Sequence, residues 1–165
     1  MIIRRPTLED KEAVLDMIAD FKAADSDMDG FFGHADFDYE SWIEDNRLTE
    51  MGLNLPEGWV PAIQLVGFDE QEGQAVSFVS LRLRLNDYLL EAGGHIGYSV
   101  RPSRRRQGLA KESLRQTLEL AREKNIKQVL VTCWKQNEAS RQTILACGGV
   151  LEDVREGIER YWISL

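Results

Sequence analysis

The chain reads as an α/β fold, a mixed and twisted sheet of about six to seven strands with helices on both faces. Three observations predict it. First, an amphipathic run from Leu109 to Lys124 lies between two apolar runs, Ile96 to Val100 and Val129 to Trp134. Strand, helix, strand in that order is a βαβ unit, and its two strands should lie parallel. Second, from Ala75 to Leu85 the chain alternates as a strand does. Val79, Leu81, Leu83 and Leu85 point one way; Ser80, Arg82 and Arg84 point the other. Third, Glu156-Gly157 separates Val150 to Val154 from Ile158 to Ile163, which is a hairpin signal.

The elements follow in order. Ile2 to Arg4 forms a short strand. Thr7 caps a first helix, with Asp10 at its third position and Val14, Ile18 and Phe21 at helical spacing up to about Ala24. Asp25 to Asp38 is an acidic loop that holds Gly30, Gly33 and three phenylalanines and partly covers a site. Tyr39 to Met51 is a second helix with Trp42, Ile43 and Leu48 on its apolar face; Gly52 to Gly58 breaks it. Val60 to Phe68 is a strand, Asp69 to Gly73 a turn, and Tyr88 to Leu90 an extension of the hairpin that turns at Asn86-Asp87. Gly93, Gly94 and Gly97 around the next strand suggest a bulge or a close backbone approach by a ligand. In the helix from Leu109, residues Ala110, Leu114, Leu118 and Ala121 share a face. Asn137 caps a last helix, about Glu138 to Cys147, which Gly148-Gly149 ends.

The bulk numbers bound the function. At 165 residues the chain suits one domain, residues 1–165, with a real core. Its net charge of −8 argues against nucleic acid and against an anionic membrane surface as partners. No run approaches the ~20 apolar residues of a membrane helix, and the start shows no secretory signal, so the expected place is the cytoplasm. Cys133 and Cys147 make neither a disulfide framework nor a metal site. The charge is uneven, however: residues 101–111 carry five cations and no acid. A local basic site on an acidic protein fits a small anionic ligand.

That stretch runs Val100-Arg101-Pro102-Ser103-Arg104-Arg105-Arg106-Gln107-Gly108-Leu109-Ala110-Lys111. A strand ends, a turn follows, and a helix begins. Unpaired N–H groups and the helix dipole converge at such a point and suit a phosphate. A surface turn with solvated arginines has the same composition.

Arg105 to Ala110 has the form R-x-x-G-x-A, five residues after Val100 with Pro102 between. The stretch resembles the acetyl-CoA cradle of the GNAT superfamily of N-acetyltransferases. The order of the remaining elements fits along essentially the whole chain. Gly94 to Pro102, Asn137 to Ser140, Gly148-Gly149 and Arg160 to Ile163 are similar to a group of bacterial predicted acetyltransferases, a resemblance that carries no substrate.

The resemblance implies a GNAT-like fold, acetyl-CoA as co-substrate without a metal, and acetyl transfer to a small-molecule or peptide amine by direct attack. The alternative is a non-catalytic acyl-CoA-binding or sensing domain. It also implies roles. The backbone of Arg105, Arg106, Gln107, Gly108, Leu109, Ala110 and Lys111 would hold the pyrophosphate. Tyr98, Ser99 and Val100 would pair with the pantetheine arm, an N–H of Tyr98 or Ser99 would polarise the thioester carbonyl, and Asn137 would bond the arm or simply cap its helix. His95 is the candidate general base, one position from where many relatives place a glutamate; a packed structural histidine is the competing account. Where many relatives place a tyrosine as general acid this chain has Ile144, so either another group, Tyr98 or Tyr161 being candidates, protonates the thiolate or none is needed. The acidic loop suits a cationic acceptor, and His34 within it reads as a surface residue. Oligomeric state is left open, a homodimer included.

Overall fold

The computed structural model describes residues 1–34 and 36–165; residue 35, inside the acidic loop read from the sequence, lies outside the described residues. Among the described residues seven strands and four α-helices follow in this order: β1 Ile2–Arg4, α1 Lys11–Ala23, α2 Tyr39–Met51, β2 Ala62–Asp69, β3 Gln74–Arg82, β4 Ile96–Val100, α3 Leu109–Glu123, β5 Gln128–Trp134, α4 Glu138–Ala146, β6 Val150–Arg155 and β7 Ile158–Ser164. Both faces of β2 and β3 are buried. On one face α1 and α2 cover Val66, Phe68, Ala75 and Phe78. On the other, Leu114 and Leu118 of α3 pack with Leu65, Val79, Leu81 and Ile96. The expected helices on both faces are therefore present. Among the described residues no helix is long and apolar enough to cross a membrane.

The strands form two sheets, β1-β2-β3-β4 and β5-β7-β6, and every pairing within them is antiparallel. The βαβ unit thus does not close into the parallel ladder its sequence suggests. β4 and β5 meet at one point, just before β4 begins. There the His95 N–H donates to the Leu130 carbonyl at 2.7 Å, and the Leu130 N–H donates to His95 Nδ1 at 2.9 Å. Beyond it the facing edge of β4 has no strand on it.

The cause lies just upstream. The run expected to prolong the hairpin instead winds into a π-helical turn, Leu89–Gly93, started by the Asn86 side chain accepting from Leu89 N–H at 2.9 Å. Gly94 ends the turn at φ 66°, and a Cβ there would sit 2.5 Å from the Leu130 carbonyl oxygen. Only glycine allows that approach. So the glycines do mark a close backbone contact, but its partner is β5.

Elsewhere the local chemistry behaves as read. The Asp10 carboxylate accepts from Thr7 N–H at 2.8 Å ahead of α1. Gly149 N–H returns to the Ile144 carbonyl at 3.0 Å to close α4. Glu156 (φ 49°) and Gly157 (φ 82°) make the left-handed pair that a two-residue hairpin turn needs. β3 ends at Arg82, short of Leu85.

Candidate active site

The chain leaves β4 through Pro102–Arg104, a single 3-10 turn, and enters α3 through Arg105 to Gly108. Arg106 (φ 62°) and Gly108 (φ 76°) are both left-handed, a geometry that gathers successive N–H groups into an anion-binding nest. Among the described residues the N–H groups from Arg105 to Lys111 have no acceptor; the first bond of α3 runs from Glu112 N–H to the Gly108 carbonyl at 3.1 Å. The space over Gly108 is open, with no atom within 4 Å of where a Cβ would stand.

The five cations of this stretch do different jobs. Arg101 is buried and paired with Asp16 at 2.7 Å and Asp20 at 2.9 Å on α1. Arg104 pairs with Asp69 at 2.7 Å. Arg105 donates back to the Val100 carbonyl at 3.1 Å and to Ser26 Oγ at 2.8 Å. These three fasten the turn to the fold. Arg106 and Lys111 carry no side-chain partner among the described residues and are the charges a ligand could meet.

The ladder fixes which groups of β4 are free. β3 and β4 pair from Leu81↔Ile96 to Ser77↔Val100. The flanking bonds, Arg82 N–H to the His95 carbonyl at 2.7 Å and Arg101 N–H to the Val76 carbonyl at 2.9 Å, set the phase. Antiparallel pairs alternate, so Gly97 and Ser99 turn their backbones to β3 while Ile96, Tyr98 and Val100 turn theirs to the open edge. Ser99 is thus the one of the three expected arm-binding residues whose backbone is already paired; its hydroxyl donates to the Asp29 carbonyl at 2.6 Å.

Across the open edge stands α4. Asn137 Oδ1 accepts from Ser140 N–H at 3.1 Å, which caps the helix and leaves the amide nitrogen unpartnered among the described residues. Ser140 Oγ lies 2.8 Å from the Tyr98 hydroxyl, and burial raises that phenol's pKa above its ordinary value. Ile144 is fully buried one turn further along. Burial, with Glu159 beside it, pushes the Cys133 thiol up to about 11, so it stays protonated.

His95 is buried, and burial with the nearby Arg82 guanidinium pushes its imidazole down to about 4. Its Nδ1 accepts from Leu130 N–H, so in the neutral ring the proton sits on Nε2 and the one ring lone pair is already used. His34, by contrast, is exposed and lines a cavity.

That cavity, about 850 Å³, lies under the loop between α1 and α2. Buried Gln64 holds the loop down, donating to the Gly30 carbonyl at 2.8 Å and accepting from Phe32 N–H at 2.7 Å. A Cβ on Gly30 would stand 2.6 Å from the Gly97 carbonyl, so this turn rests directly on β4. Asp29, one residue earlier, is brought beside Ser99. Burial, then Asp27, raises the pKa of its carboxyl, and Arg82 opposes them. Sequence reading passed over Asp29 and Gln64. The one signal was the glycine after an acid in the loop, which the chain shares with any turn.

A family model for the acetyltransferase (GNAT) domain matches residues 1–150. The chain belongs to the GNAT acetyltransferases. It is therefore an acyltransferase, and the reaction is acetyl transfer. No curated protein matches it. Several solved GNAT structures share the fold. The ribosomal-protein-S5-alanine acetyltransferase of Vibrio fischeri is 18% identical, with a TM-score of 0.70 over 98% of this chain and 91% of that one. The RimL ribosomal L7/L12 α-N-protein acetyltransferase, in complex with coenzyme A, is 17% identical, with a TM-score of 0.70 over 99% and 93%. YncA of Salmonella typhimurium, solved with its cofactor acetyl-CoA, is 18% identical, with a TM-score of 0.62 over 99% and 93%.

Proposed function

We propose that this GNAT enzyme transfers the acetyl group of acetyl-CoA to an amine, small molecule or peptide, by direct attack of the amine nitrogen. The observation that carries the reading is continuous. A row of unpaired N–H groups from Arg105 to Lys111, open at Gly108, runs on to the edge of β4 at Val100, Tyr98 and Ile96, which carries no strand and whose Val100 carbonyl is taken by Arg105. An anion at the first and an extended amide-bearing arm on the second fit this order, as a phosphate fits a nest and a peptide fits an open strand edge. Solved structures of the same fold carry acetyl-CoA or coenzyme A, which supports the same co-substrate here.

In this reading the bound thioester supplies the activated acetyl group. Backbone donors from Arg105 to Ala110 hold the pyrophosphate, with Arg106 and Lys111 adding charge. Tyr98 N–H lies on the open edge, where it can donate to the thioester carbonyl as charge grows on its oxygen. The free amide of Asn137 faces the arm from α4. His95 serves as the splint that holds β4 against β5 at one end, so that the other end stays apart. Its only lone pair is engaged, which leaves proton removal to another group.

Release of coenzyme A thiol from acetyl-CoA in the presence of primary amines tests the proposal. Amine-dependent release is expected. Tight acetyl-CoA binding with no release for any amine would refute the amine acceptor.

A further inference from the structure

We infer that the cavity under the loop between α1 and α2 seats a primary ammonium, and that the Asp29 carboxylate both holds it and takes its proton. This rests on the reading above and names its acceptor.

Three observations carry it. The first is place. The Ser99 hydroxyl ties the Asp29 carbonyl to β4 at 2.6 Å, and Gly30 lies against Gly97, so Asp29 stands beside the strand whose Tyr98 N–H faces the open edge. Asp29 and Gly30 line the cavity and also rest on β4, so this turn joins the cavity to the strand. The second is charge. Asp29, Asp36, Asp38 and Asp45 line the cavity against one guanidinium, Arg82. Arg82 donates to the Gly93 and Gly94 carbonyls at 3.1 and 3.2 Å, and Asp38 accepts from Ser41 N–H at 3.0 Å. Asp29 has no such engagement among the described residues: its backbone carbonyl makes the bond, and its carboxylate accepts none. The third is the wall. Phe31, Phe32, Trp42, Trp59 and Tyr88 line the same space, with the rings of Phe32 and Trp59 at 5.4 Å and those of Phe31 and Trp42 at 5.5 Å. Aromatic faces beside a carboxylate favour an organic cation over a neutral or anionic ligand.

The proton balance closes. The ammonium gives one proton to Asp29, and the freed nitrogen lone pair attacks the thioester carbon. A C–N bond forms and the C–S bond breaks, its electron pair leaving on sulfur. The second nitrogen proton passes to solvent, as does the one on Asp29, and one of the two is taken up by the thiolate. The products are the N-acetyl amide, coenzyme A and one proton. Asp27, Arg82 and the Tyr98 phenol face Asp29 from its own loop, β3 and β4, and His34 and Asp36 share the cavity with it.

The test uses the full chain with acetyl-CoA and three probes: tyramine as a small aromatic ammonium, a short peptide with a free N-terminus, and aniline as an amine uncharged at neutral pH. Calorimetry with acetyl-CoA runs beside the kinetics. The wild type is expected to acetylate tyramine or the peptide, whichever source supplies the ammonium, and to prefer both to aniline. Asp29→Asn is expected to lower kcat/KM by about 100-fold, the scale of one general base, with acetyl-CoA affinity unchanged and the acid limb of the pH profile gone. Asp29→Glu should recover part of the rate. Asp29→Asn keeps the backbone bond to Ser99, so its folding is not at issue. Wild-type rates in Asp29→Asn, or a preference for aniline, would overturn the inference and leave the acetyl transfer standing. Failure of the wild type to bind acetyl-CoA would overturn both.

Discussion

Gly108 is the residue on which the proposed donor site turns. It is left-handed at φ 76° with empty space over it, so a small side chain meets strain but no clash. Gly108→Ala should therefore cost about 1 kcal/mol of stability, read from a denaturant midpoint, and leave acetyl-CoA bound. Gly108→Glu puts a carboxylate where the pyrophosphate charge would lie. His95 offers a second test at this scale. Its folded pKa, about 4, lies below the ordinary 6.5, so the fold favours the neutral ring. The stabilising contribution is present above pH 6.5 and is lost as pH falls from there towards 4, up to about 3 kcal/mol by linkage. Unfolding midpoints measured from pH 7 to pH 4 should fall more steeply in the wild type than in His95→Gln. Equal slopes would remove the histidine from the account.

At the scale of elements, the split between β4 and β5 gives the proposed donor site its open edge, and Gly94 sets where the split begins. Gly94→Ala places a Cβ 2.5 Å from the Leu130 oxygen at a positive φ. A loss of about 2 kcal/mol or more is expected, as for other strained backbone sites, and it should come with weaker acetyl-CoA binding because β4 must shift. Stability equal to wild type would mean that the junction is not tight. Much of this level was legible beforehand. The strand Ile96 to Val100, the turn, the helix from Leu109 and the hairpin at Glu156-Gly157 all follow from local periodicity and turn chemistry, which depend on near neighbours. The separation of β4 from β5 did not follow, because a βαβ pattern fixes order and direction but not whether two edges hydrogen-bond. The π-helical turn Leu89–Gly93 was hidden in an apolar run that reads equally well as strand. Of the five cations near the proposed cradle, the sequence could not say that Arg101, Arg104 and Arg105 are bonded to the fold, since their partners Asp16, Asp20, Asp69 and Ser26 are remote in the chain. Asp29 was missed for the same reason: only the contacts of its loop with Gln64, Gly97 and Ser99 place it on β4.

At the scale of the molecule, an acidic chain of net charge −8 keeps two cations without a side-chain partner among the described residues, Arg106 and Lys111, where backbone donors already converge. Binding there should depend on shape and on fixed N–H groups more than on diffuse charge, so its salt dependence should be shallow beside that of a nucleic-acid site. Acetyl-CoA at 100 times its dissociation constant should stabilise the fold by about 2.7 kcal/mol, visible as a raised melting temperature. The central claim is that the N–H row from Arg105 to Lys111 holds the donor's pyrophosphate. Its most direct test is calorimetry of the wild type and Gly108→Glu with acetyl-CoA at two salt concentrations, with a short DNA duplex as the competing ligand. The account predicts saturable acetyl-CoA binding that changes little with salt, weakens by about 100-fold (~2.7 kcal/mol) in Gly108→Glu, and has no counterpart with DNA. Equal affinity in the variant, or salt-steep binding of DNA in place of acetyl-CoA, would contradict it.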